Sequence, residues 1–146
     1  MNNGRRDVLK AAAGGAALLA SPRLALGGGN DSLRLVFYSD VHARTEWDTP
    51  LALAKAAAAI NRVNADLVLC GGDLVTDGFQ APSEAAMTPR WNAYMAFHNA
   101  IEGDIHCALG PHDMVAADPD DGSPASPDPR ATFRTRLGTP KTYYSL

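Results

Sequence analysis

Three short apolar runs constrain this chain more than anything else in it: LRLVFYSD from Leu33, ADLVLCGGD from Ala65 and DIHCALGPHD from Asp104. Each is nearly continuous in apolar side chains rather than alternating, which is the pattern of parallel strands covered on both faces. Two stretches with helical start signals lie between them. Pro50 to Val63 is Ala-rich behind Thr49, and Pro89 to Glu102 follows Thr88 and stops at Gly103. In both, a capping hydroxyl precedes a proline suited to the first helical position. The order β-α-β-α-β predicts an α/β fold, because right-handed crossovers place three such strands in one parallel sheet.

The flanks of this unit read differently. GRRDVLK, with Arg5 and Arg6, is followed by an Ala/Gly-rich run from Ala11 to Ala20 that is too short and too weakly apolar to span a bilayer. Basic start, apolar middle and small-residue end occur in the order of an export signal, and residues 1–27 resemble a twin-arginine signal, with cleavage expected after Ala25-Leu26-Gly27. That resemblance implies export machinery as a partner and a periplasmic or other extracytoplasmic location. Removing the segment takes away Arg5, Arg6, Lys10 and Arg23 but only Asp7, so the remainder is acidic. No cluster of Lys or Arg with interleaved aromatics marks a nucleic-acid surface. Beyond the third run, DPDDGSPASPDP leaves nothing to bury, and residues 117–128 read as a flexible surface loop. Asp128-Pro129 then opens a short helix through Leu137, stopped by Gly138, and TYYSL reads as the start of another strand.

Chemistry-bearing residues collect where the apolar runs end. Asp40 and His42 follow the first, Asp73 the second, and His112 with Asp113 the third. In an open α/β sheet the ligand crevice lies beyond the carboxyl ends of the strands, so these residues converge despite their separation in sequence. Carboxylate and imidazole together suit Mn, Fe or Zn better than Ca or Mg. Gly71 and Gly72, lacking a β-carbon, let the backbone come close beside Asp73. His106 sits in mid-strand and His98 shares a helical face with Trp91, Tyr94, Met95 and Ile101, so both read as structural. Asp77 reads as a turn former. Cys70 and Cys107, each inside an apolar run, read as buried thiols in preference to a bridge.

DVH at 40–42, GGDLVTDG at 71–78 and GPHD at 110–113, in that order at strand ends, resemble the calcineurin-like metallophosphoesterases. The resemblance covers residues 33–146 and implies the first part of an αββα sandwich, with the C-terminal half missing. It implies a hydrolase acting on phosphate mono- or diesters of small molecules through water activated by two divalent ions. By the family scheme Asp40 and His42 hold the first ion, Asp73 bridges both, His112 faces the leaving group and Asp113 orients His112. Thr76 stands where purple acid phosphatases carry a Tyr, which disfavours that branch.

Two departures bear on activity. Pro111 replaces the family's Asn ligand and offers no side-chain donor, and the family's later histidines lie beyond Leu146. At most one ion is therefore expected. The alternative reading is an inactive half-domain that binds one ion weakly or needs a complementary C-terminal half, since half a sandwich leaves an apolar sheet face and an open edge.

Overall fold

The computed structural model describes residues 24–25 and 32–143 of the chain. Its elements run β1 (Leu24–Ala25), β2 (Ser32–Leu33), β3 (Leu35–Tyr38), α1 (Thr49–Val63), β4 (Leu67–Cys70), α2 (Glu84–Ala100), β5 (Ile105–Cys107), a 3₁₀ turn (Pro111–Asp113) and α3 (Ala131–Leu137). β1 and β2 make a two-residue antiparallel pair. β3, β4 and β5 form one parallel sheet in that order, with Val36 beside Val68 beside Ile105 and Tyr38 beside Cys70 beside Cys107. The expected α/β core is therefore present. Arg5, Arg6, the Ala11–Ala20 run and Tyr144 to Leu146 lie outside the described residues, and residues 141–143 form no strand.

Successive side chains on a strand point to opposite faces. Val36, Tyr38, Val68, Cys70 and Cys107 turn toward the helices, where α2 contributes Met87, Trp91, Tyr94 and Phe97, spaced three or four residues apart on one helical face and all buried. Burying each of these four is worth on the order of 2–3 kcal/mol. The alternate residues do not find the same cover. Leu35, Leu67 and Leu69 are only partly buried and Phe37 is 64% exposed. This corrects the expectation from continuous apolarity: among the described residues the sheet is covered on one face.

The helix starts also differ from the sequence reading. α1 is capped by Asp48 rather than Thr49; Asp48 has a left-handed φ of 57° and makes no side-chain cap, while the Thr49 hydroxyl donates to the Glu46 carbonyl at 2.7 Å. α2 starts at Glu84, ahead of the proline, because the Ser83 side chain accepts the Ala86 N–H and supplies a cap that the Thr88-Pro89 signal outshouted. Pro89 lies inside that helix. The ends of α1 and α2 are tied by Asn61, whose side chain donates to the Ala100 carbonyl and accepts the Glu102 N–H, both at 2.9 Å.

Residues 117–128 hold no helix or strand, yet their backbone is fastened in several places. Asp118 N donates to Phe79 O and Ser126 N to Ala116 O. α3 begins at Ala131, later than Asp128-Pro129, and Gly138 at φ 65° ends it as expected. No helix among the described residues is long and apolar enough to cross a membrane.

Candidate metal centre at the strand ends

Past the sheet, the chain does not scatter. Asp40 N donates to Gly72 O, His42 N to Asp73 O and Ala43 N to Leu74 O, so the segment after β3 runs beside the segment after β4, and Ala43 bridges Val75. Ala108 N donates to Cys70 O and carries the end of β5 into the same layer. The three terminal segments are thus laced by backbone before any side chain acts. Asp40, His42 and Asp73 all take left-handed φ, between 45° and 55°, a conformation that side-chain-bearing residues adopt at a cost and that concentrates at ligand sites.

Two glycines permit the close approach. Gly72 has φ 103°, and a β-carbon there would press on the Gly110 backbone; one on Gly110 would overlap the Asp73 carboxylate. The second contact was not legible from GPHD, since it depends on where β4 meets β5.

His42, Asp73 and His112 come together, one donor atom from each lying within 4.8 Å of the others. The rings of His42 and His112 meet edge to face with centroids 4.7 Å apart. Asp73 is aimed by the backbone, its Oδ1 accepting the His112 N–H at 3.0 Å. Two imidazoles and one carboxylate from three strand ends suit a borderline divalent ion such as Mn, Fe or Zn. Asp40 stands apart from this trio. Its side chain is 66% exposed and its Oδ1 lies 3.9 Å from His42 Nε2. Pro111 brings no donor, and no second group of three ligand-type side chains occurs among the described residues. The residues present fit one ion and not two.

Asp113 turns its carboxylate to backbone amides and not to the His112 ring. It is fully buried; Oδ1 accepts Leu74 N–H at 2.7 Å and Val75 N–H at 3.2 Å, and Oδ2 accepts Gly110 N–H at 2.8 Å. Burial pushes its carboxyl up to about 6, against the opposing pull of the three amides. It is a clamp between the turn after β4 and the turn after β5. The ring of His112 is oriented instead by the Asp77 backbone, whose N–H donates to Nδ1 at 3.2 Å. With Nδ1 accepting, a neutral His112 carries its proton on Nε2.

Further groups missed by the sequence reading border the trio. Arg44 donates to Thr76 Oγ1 at 3.3 Å, and Arg90 pairs with the Asp77 carboxylate at 3.1 Å. The only signal for Arg44 was its place two residues after His42, and Arg90 gave none. A cavity of about 530 Å³ opens beside Asp77 and Arg90, walled also by Thr45, Glu46, Gln80 and Asp120. His98 and His106 stay away from the trio, His106 pairing with Asp104 at 3.0 Å.

Residues 33–144 match the profile of a family described as calcineurin-like phosphoesterase. Among solved structures, a dimetal phosphatase from Danio rerio is similar at 18% identity with a TM-score of 0.46, over 55% of this chain and 29% of that one. The chain thus spans 29% of that phosphatase's length. No curated protein matches it.

Proposed function

Because this chain belongs to the calcineurin-like phosphoesterase family, a family of metal-dependent hydrolases, we propose that His42 and Asp73 of the strand-end trio bind one divalent ion, with His112 facing the leaving group, and that the site serves hydrolysis of small-molecule phosphate esters. The observation that supports this most directly is the meeting of His42, Asp73 and His112 within 4.8 Å from three separate strand ends. Asp73 and His42 are the ion's main holders in this reading, and Asp40 joins from its exposed position beside His42. A divalent ion bound there supplies charge neutralisation at a phosphoryl group and a more acidic water.

The protein's own contribution is orientation and a hydrogen-bond donor. The Asp77 N–H on His112 Nδ1 leaves Nε2–H as the outward donor, so a neutral His112 is suited to hydrogen-bond to the departing oxygen and stabilise the charge that grows on it. Asp113 acts one step behind, holding the Gly110 turn and the Leu74-Val75 backbone together so that His112 and Asp73 keep their places. Export through the Arg5-Arg6 segment and a periplasmic site of action belong to the same proposal and rest on the motif alone.

A second reading is favoured by Pro111 and the open Phe37 face. In it the trio holds an ion without turnover, and activity needs ligands from a complementary chain.

The test is hydrolysis of bis-(p-nitrophenyl) phosphate by the purified chain with Mn. Turnover abolished by Asp73→Asn supports catalysis; one ion bound per chain with no turnover supports the second reading. His112→Gln separates hydrogen-bond donor from ligand. A donor role predicts that ion binding survives while alkyl phosphoesters lose far more rate than p-nitrophenyl esters, whose leaving group carries its charge without such a hydrogen bond.

A further inference from the structure

Behind the strand-end trio, on the helix-covered face of the sheet, lies a second set of reactive groups that phosphoester chemistry leaves unused. Cys70 and Cys107 are register partners on the adjacent strands β4 and β5, and both are buried. Tyr94 Oη lies 3.3 Å from Cys107 Sγ and 3.3 Å from Tyr38 Oη. His98 of α2 lines one cavity with Cys107. Paired strands are spaced about 4.7–4.9 Å with their β-carbons on one side, which falls inside the roughly 4.4–6.8 Å Cα window of disulfides. Neither sequence spacing nor composition singles out this pair.

We propose that Cys70 and Cys107 form a reversible dithiol–disulfide couple, closed by exchange with a low-molecular-weight disulfide. The two sulfurs are not equivalent. The neighbouring Cys70, with His98 and Tyr94, draws Cys107 toward the thiolate, whereas the neighbouring Cys107 and burial push Cys70 up. Cys107 lines two cavities, one of about 270 Å³ with His98, Leu137 and Pro140 and one of about 310 Å³ that Cys70 also borders. The Cys107 thiolate attacks the donor disulfide, forming a mixed disulfide and releasing one donor thiolate. Cys70 gives its proton to that thiolate, attacks Cys107 Sγ and expels the second. Two electrons pass from the cysteine sulfurs to the donor; the first donor thiolate takes the Cys70 proton, and the second takes from solvent the proton that Cys107 released on ionising. The bridge ties together the strand ends that lead into Asp73 and His112.

A pair that is merely packed in the core makes the opposite thermodynamic prediction. The folded state then resists oxidation, because bridging would disturb the buried contacts. The full chain is equilibrated with mixtures of reduced and oxidised glutathione, folded and in urea, then acid-quenched, alkylated and weighed by intact mass. The proposal predicts that at fixed reduced glutathione the folded chain needs roughly tenfold less oxidised glutathione for half oxidation than the unfolded chain. The product is a monomer lighter by two hydrogens. Equal or greater demand in the folded state, a bridge between chains, or glutathione adducts without an internal bridge would each overturn it. Cys70→Ser should stop at one glutathione on Cys107, and a folded but unreactive Cys70→Ser chain overturns the order of attack; should that variant not fold, the folded-against-unfolded comparison decides the matter alone.

Discussion

The strand-end site has two unlike halves. On the β4–β5 side, Asp73, Gly110, His112 and Asp113 are locked to backbone amides through hydrogen bonds of 2.7–3.2 Å, and Asp113 is fully buried. On the β3 side, Asp40 is two-thirds exposed with His42 Nε2 3.9 Å away as its near neighbour. The difference teaches where preorganisation comes from. One half is set by the folding of the sheet itself, because it satisfies buried N–H groups that otherwise stay orphaned. The other half is set by backbone pairing alone and leaves its carboxylate exposed.

Substitutions can break that contrast, beginning with the clamp. Asp113→Ala removes the acceptor from three buried amides and should cost about 3–5 kcal/mol of stability in urea unfolding. A loss below about 1 kcal/mol would show that the clamp is not structural. Gly110→Ala forces a β-carbon against the Asp73 carboxylate, for which about 1–3 kcal/mol is expected, together with weakened Mn binding by calorimetry. Asp73→Asn should lower Mn affinity by roughly a hundredfold while moving the urea midpoint much less than Asp113→Ala does. Asp40→Ala sits at the far end. Its stability should stay within about 0.5 kcal/mol of the parent, with an ion-affinity loss of roughly tenfold. If Asp40→Ala destabilised the fold as much as Asp113→Ala, the two halves would not differ in kind.

Much of the architecture was readable because it depends on local signals. Continuous apolar runs of strand length separated by capped, Ala-rich or aromatic stretches gave the parallel β-α-β-α-β order, and Gly138 marked the end of α3. The start of α2 was misread because Thr88-Pro89 and Ser83-Glu84 are both plausible caps. Which one operates depends on how far back Met87 is needed in the core. The expectation of two covered sheet faces failed for a related reason. Apolarity reports what a strand can bury, not what is present to bury it.

Residue types and their order were enough to place metal-binding chemistry at the strand ends, since Asp and His beyond apolar strands sit on one rim whatever the details above them. Only the tertiary structure decided what each does there. Asp113 became a clamp because three amides from two different turns were left needing an acceptor, and His112 took its ring orientation from the amide of Asp77. Cys70 found Cys107 through strand register. Such partnerships are settled when separate segments meet, by which polar groups remain unpaired, and that information is spread across the fold rather than held in any one stretch of chain.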